Sequence, residues 1–90
     1  MMAAALTLLL TVRRGAYKDS VRQMAATRAM LEASGVEWAG AFMATPANLQ
    51  QLHAEGFADT EINAQANDLV LAVRAEDKAS AQRALALAEA

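Results

Sequence analysis

Hydrophobic and polar positions alternate in three places along the chain. Leu6, Leu8, Leu10 and Val12 alternate with Thr7, Leu9, Thr11 and Arg13, the period-two pattern of a half-buried strand, so a first strand is expected over about 6 to 14. Val36, Trp38, Gly40 and Phe42 alternate with Glu37, Ala39, Ala41 and Met43 and predict a second. Leu69, Leu71 and Val73 alternate with Val70, Ala72 and Arg74 and predict a third.

Between and after these runs the period changes to that of a helix. Val21, Met24, Thr27 and Leu31 recur at steps of three and four, which predicts an amphipathic helix to about residue 33 with this stripe inward and Arg28 at its edge. Met30 lies off the stripe and marks a second contact. Asp19 or Ser20 is the expected cap of this helix, and Ser34-Gly35 its exit. Thr45-Pro46 opens a short helix, with Thr45 as cap and Pro46 in the first position, where a missing N–H costs nothing. Gly56 ends it, which places Leu52 and Phe57 as the contacting pair of a Schellman motif. The polar stretch 58–67 reads as an irregular, mobile connection. Glu76 or Asp77 caps a last helix whose small face includes Ala81, Ala84, Leu85 and Ala88. That helix runs out without a stop signal, which suggests a piece of a longer protein or a helix completed by a neighbour.

The order strand, helix, strand, short helix, strand, helix defines an α/β (α+β) domain. In each strand one face carries the large residues, with Leu9, Met43 and Val70 as exceptions. A sheet buried on both faces by a double winding would show continuous apolar runs instead. The expected architecture is therefore a two-layer sandwich with the helices on one side, a ferredoxin-like arrangement lacking its last strand. The three exceptions suggest that the second face is covered as well, by another copy of the domain.

Ninety residues allow one core and one domain, in which roughly 60 to 65% of the unfolded surface is buried. Cysteine is absent, so disulfides, thiolate zinc sites and a cysteine nucleophile are excluded, and a reducing, cytoplasmic setting is expected. The apolar opening lacks a leading positive segment and breaks at Arg13, unlike a signal peptide or a membrane span of ~20 apolar residues. It reads as a disordered leader at 1–5 followed by the first strand, and no membrane partner is expected. Residues 1–30 hold Arg13, Arg14, Lys18, Arg22 and Arg28 against Asp19 alone, whereas the remainder holds three bases and nine acids. The basic N-terminal third suits an anionic ligand or an acidic partner. An overall acidic chain with four aromatics is a poor nucleic-acid binder.

Catalytic signatures are missing. The single histidine, His53, has no second ligand at metal spacing, and no nucleophile elbow, Walker loop or dinucleotide fingerprint occurs. No catalytic or metal-binding residue is assigned. Two helix starts remain, Asp19-Ser20 and Thr45 to Asn48, each after a strand. If the first two strands run in one direction, both starts lie at the same sheet edge, where free N–H groups hold an anion or a carbonyl and Lys18 adds charge. Capping alone also explains Asp19 and Thr45, and Asn67-Asp68 fits a turn closed by its own side chains. Lys18, Asp19, Ser20, Thr45 and Asn48 are thus either a ligand-binding set or caps.

Three segments carry a resemblance. Arg14-Gly15-Ala16-Tyr17-Lys18-Asp19-Ser20-Val21-Arg22-Gln23-Met24, Met43-Ala44-Thr45-Pro46-Ala47-Asn48 and Asn67-Asp68-Leu69-Val70 with Val73-Arg74 resemble, in order, segments at the N-terminus of FdrA-type proteins. Ala44 stands where that family has glycine, so a bare backbone contact with a ligand is not implied there. Those proteins are relatives of acyl-CoA synthetases and of the α subunit of succinyl-CoA synthetase, and some are implicated in an oxamate carbamoyltransferase of allantoin breakdown. The resemblance implies CoA as a cofactor of complete members and none for this segment, because the CoA-binding and ligase-like regions would follow residue 90. Two functions are expected from it and from the residues. One is an accessory domain for docking, oligomerisation or regulation, whose partners are its own copies or other domains and subunits of the enzyme. The other is a small-anion or metabolite module at the two helix starts.

Overall fold

The computed structural model describes residues 6–16, 18–57 and 62–89; the expected leader at 1–5 and positions 58–61 of the polar connection lie outside them. Three strands and three helices follow in the expected order: β1 Thr7–Arg13, α1 Ser20–Leu31, β2 Val36–Met43, α2 Pro46–Ala54, β3 Leu69–Ala75 and α3 Lys78–Glu89. The strands form an antiparallel sheet in the order β1-β3-β2, compatible with a ferredoxin-like fold. Because β1 and β2 both run against β3, they point the same way.

β3 is the centre of the sheet, and its sequence shows why. Six of its seven residues are buried and only Arg74 is partly exposed, as a strand paired on both edges and covered on both faces requires. On one face Leu69, Leu71 and Val73 pack with Ala39, Ala41 and Met43 of β2, under Ala26 and Met30 of α1 and Ala81 and Ala84 of α3. On the other, Val70 and Ala72 pack with Leu52 of α2 and Phe57, flanked by Leu8, Leu10, Val12, Trp38 and Phe42 of the edge strands.

The two faces therefore divide large and small residues differently. The α1/α3 face is large along β3 and small at Ala39 and Ala41 in the middle of β2; the second face is large on β1 and β2 and small at Ala72 and Gly40, which are cross-strand partners. The expectation that all helices share one side holds for α1 and α3 but not for α2. Leu9 and Met43 belong to the α1/α3 face and Val70 to the other, so the three exceptions share no common surface. The second face is covered from within the chain, by α2, Phe57, Ile62 and Ala64. A bulge between Val36 and Trp38 lets Val36 pack on the α1/α3 face while Trp38 stays on the second.

α1 is rotated from the orientation its apolar stripe predicts. Val21, Met24 and Leu31 are 74, 66 and 49% exposed, whereas Met30 is fully buried, so the expected second contact is the main one. The helix sits over Ala39 and Ala41, where Ala26 permits close approach. The Ala41 N–H donates to Thr27 Oγ1 at 3.0 Å, which fixes the rotation that turns the large residues outward.

α2 is held at its end. The Gly56 N–H donates to the His53 carbonyl and the Phe57 N–H to the Leu52 carbonyl, the two bonds of the expected Schellman motif, with Gly56 at a φ of 103°. Leu52 and Phe57 are both buried. Arg74 reaches across from β3: its Nη1 donates to the Glu55 carbonyl at 2.8 Å and its Nε to the Glu37 carboxylate at 2.7 Å, beside the Trp38 ring.

Gly35, after α1, has a φ of 84° and donates no side chain to a crowded corner: a Cβ there would lie 2.7 Å from Ser80 Oγ and 2.8 Å from the Glu76 carboxylate. Gly35→Ala combines backbone strain with displacement of the buried Ser80. A stability loss of roughly 1–3 kcal/mol is expected in a denaturant titration; an unchanged midpoint would contradict it.

Candidate functional site

The ends of β1 and β2 and the start of β3 meet at one edge of the sheet, and Asp68 joins them. Its Oδ1 accepts from the Gly15 N–H at 2.7 Å and its Oδ2 from the Gln65 N–H at 2.9 Å, while Arg14 Nη1 lies 3.4 Å away. Its backbone carbonyl accepts from the Ala44 N–H at 2.9 Å. One residue thereby ties the β1–α1 loop, the β2–α2 junction and the 62–67 connection. The two backbone bonds, with a smaller contribution from Arg14, hold the carboxyl below its ordinary value. Its acceptors are engaged within the chain, so the turn-closing role anticipated for Asn67-Asp68 belongs to Asp68.

Both helix starts lie at this same edge, as parallel directions for β1 and β2 require. Asp19 caps α1 by accepting from the Arg22 N–H at 2.9 Å, and Thr45 caps α2 by accepting from the Asn48 N–H at 3.3 Å. Asp77 caps α3 through the Ser80 N–H at 2.7 Å. The Asn48 amide donates to the Met43 carbonyl at 2.8 Å, and the Lys18 carbonyl accepts from Gln23 Nε2 at 2.7 Å.

Of the five residues singled out in the sequence, two come together. Ser20 and Asn48 line one groove of about 480 Å³ between α1, the β2 edge and the start of α2. Lys18 lines other hollows, beside Arg22 and α3. Asp19 and Thr45 are engaged as caps. Met24, Leu31 and Phe42 give the groove its apolar character; in the sequence the helical spacing of Met24 and Leu31 and the strand alternation of Phe42 read as core-facing positions. The β2 edge is closed at its far end, with Ala41 N–H held by Thr27 and the Met43 carbonyl held by Asn48.

Two stability measurements follow from this edge. Asp68 has a depressed folded pKa, so its contribution is fully present above the unfolded value near 4 and is lost as pH falls through the folded value. Acid unfolding should steepen below about pH 4, and Asp68→Asn should lower the melting temperature at neutral pH while flattening that acid limb. An acid limb as steep in the variant as in the parent would remove Asp68 from this role. Thr45→Ala should cost about 1 kcal/mol through loss of the cap, read by thermal unfolding.

A family model described as "AllF, heavy metal-associated domain" matches residues 5–90. No solved structure matches the chain. Soft heavy metals favour thiolate and imidazole donors, and the residues here do not fit one: the sequence has no cysteine and one histidine, and no group of three His, Cys, Asp or Glu side chains converges among the described residues. No helix among those residues is long and apolar enough to cross a membrane. The match spans every described residue, and the chain belongs to the family of heavy metal-associated domains of AllF proteins.

Proposed function

We infer that this chain is an N-terminal accessory domain of an FdrA-type, acyl-CoA synthetase-like protein of allantoin breakdown, within an oxamate carbamoyltransferase in the cytoplasm. Its task is to dock the larger enzyme or to join its copies, and CoA chemistry belongs to the rest of that protein. The family match and the three ordered motifs support the setting. The observation that carries the docking role is the outward apolar stripe of α1, with Val21, Met24 and Leu31 exposed on one helix. Large apolar residues gathered at a groove mark contact surfaces.

Sedimentation of the 90-residue chain, alone and mixed with the remainder of the complete protein, tests this. A dimer or a co-sedimenting complex is expected. A strict monomer at high concentration that also leaves the remainder unbound would overturn it.

A second reading places a small anion or metabolite at the helix starts that Asp19 and Thr45 cap, favoured by the shared groove of Ser20 and Asn48. Titration calorimetry with oxamate and with inorganic phosphate tests it. Binding weakened by Asn48→Ala supports this reading, and no heat with either anion removes it.

A further inference from the structure

The outer side of β1 is an open sheet edge. Among the described residues no strand pairs there, and nothing but β3 bonds the backbone of residues 7–12. Soluble proteins commonly blunt such an edge with a lysine, a proline or a bulge. β1 has none of these: residues 6–12 read Leu-Thr-Leu-Leu-Leu-Thr-Val, and the register with β3 runs without a shift from Thr7 to Arg13. Leu8, Leu9, Leu10 and Val12 are partly exposed, so both faces of this edge hold apolar surface that a further strand would cover.

A row of main-chain donors and acceptors takes up a strand, and β1 is complementary to itself. Opposed residues of neighbouring strands share a face, so a two-fold antiparallel pairing of β1 with its copy must centre on a residue and not between two. Centred on Leu10, the midpoint of the strand, every residue from Thr7 to Arg13 finds a partner. Leu10 then opposes its own copy and Leu8 opposes Val12 on the α2 face, while Leu9 opposes Thr11 and Thr7 opposes Arg13 on the α1/α3 face. No charge meets a like charge in this register.

α3 agrees with the same axis. It packs over β3 and β1 and runs in the direction of β1, since Ala75 at its start pairs with Thr7 and Glu89 at its end pairs with Arg13. Lys78, Leu85 and Glu89 recur on one side of the helix, the side that Glu89 fixes toward β1. A two-fold axis at Leu10 lays a second α3 antiparallel beside the first, two strand spacings or about 10 Å away, which is a packing distance of helices. Lys78 and the positive N-terminal end of one α3 then lie alongside Glu89 and the negative C-terminal end of the other. The acids beside Lys78 are directed elsewhere: Asp77 accepts from the Ser80 N–H, and Glu76 lies next to Gly35.

On these grounds we propose that two copies of this chain join through the outer edge of β1, in antiparallel register about Leu10, into one continuous sheet with their α3 helices side by side. This rests on the joining of copies inferred above and gives it a surface separate from the α1 stripe.

Sedimentation of the 90-residue chain and its variants tests the pairing. The chain itself is expected to sediment as a dimer. Thr11→Lys sets a charge on the edge opposite Leu9 and should weaken dimerisation at least tenfold with an unchanged circular dichroism spectrum. Lys78→Glu, on an exposed helix turn, should weaken it severalfold. The chain has no cysteine, so single cysteines report proximity under mild oxidation. Leu10→Cys is expected to link two copies through a disulfide, and Met24→Cys, on the outer stripe of α1, is not. A strict monomer, a dimer indifferent to both Thr11→Lys and Lys78→Glu, or linking at Met24→Cys without linking at Leu10→Cys would each overturn the proposal. If the chain is monomeric alone yet co-sediments with the remainder of the complete protein, the docking role stands and this pairing of copies is wrong.

Discussion

The carboxylate of Asp68 is the constraint on which the arrangement at the functional edge depends. The last turn before β3 brings three chain segments together where two parallel-running strands end, and the backbone N–H groups that leave the strand ladders there need acceptors. Asp68 supplies them to Gly15 and Gln65, and its own carbonyl supplies Ala44. Because these bonds reach the loops before both α1 and α2, they set where the two helix starts lie relative to each other. Ser20 and Asn48, one from each of those starts, line the same groove.

A three-stranded sheet this small has one fully surrounded strand, and the division of side-chain size between its faces follows from how each face is covered. Two full helices lie over the first face. They approach closely where the edge strand is small, at Ala39 and Ala41, and the bulk is supplied by β3. A nine-residue helix, a Schellman turn and an irregular segment cover the second. There the edge strands supply the bulk themselves, with Trp38 and Phe57 rings 5.8 Å apart, and Arg74 fastens the end of α2 to the sheet.

The element order, the bounds of β2 and β3, the caps at Asp19 and Thr45 and the end of α2 were legible because each depends on neighbouring residues. Alternation and capping are local signals, and Gly56 with Leu52 and Phe57 was readable to the individual hydrogen bond. The placement of faces was not legible in the same way. Val21, Met24 and Leu31 have the spacing of a buried stripe, yet Ala26 and Met30 are buried instead, since the rotation of α1 is set by Thr27 meeting Ala41 across fourteen residues. Large faces on each strand likewise do not reveal that those of β1 and β2 lie opposite that of β3. For the candidate site, the common edge of the two helix starts followed from strand direction. The groove did not, since it exists only because the stripe points outward.

The blunted edge of β2 also limits how sheets of neighbouring copies can join. Continuous growth by edge pairing requires two open borders on every unit, one to give and one to receive. Thr27 and Asn48 stopper one border at Ala41 and Met43, while among the described residues no strand pairs with the outer side of β1. The bonds at Ala41 and Met43 thus shorten the border that β2 can offer to a neighbouring strand, so an incoming chain would meet fewer unengaged backbone groups there than along the outer side of β1.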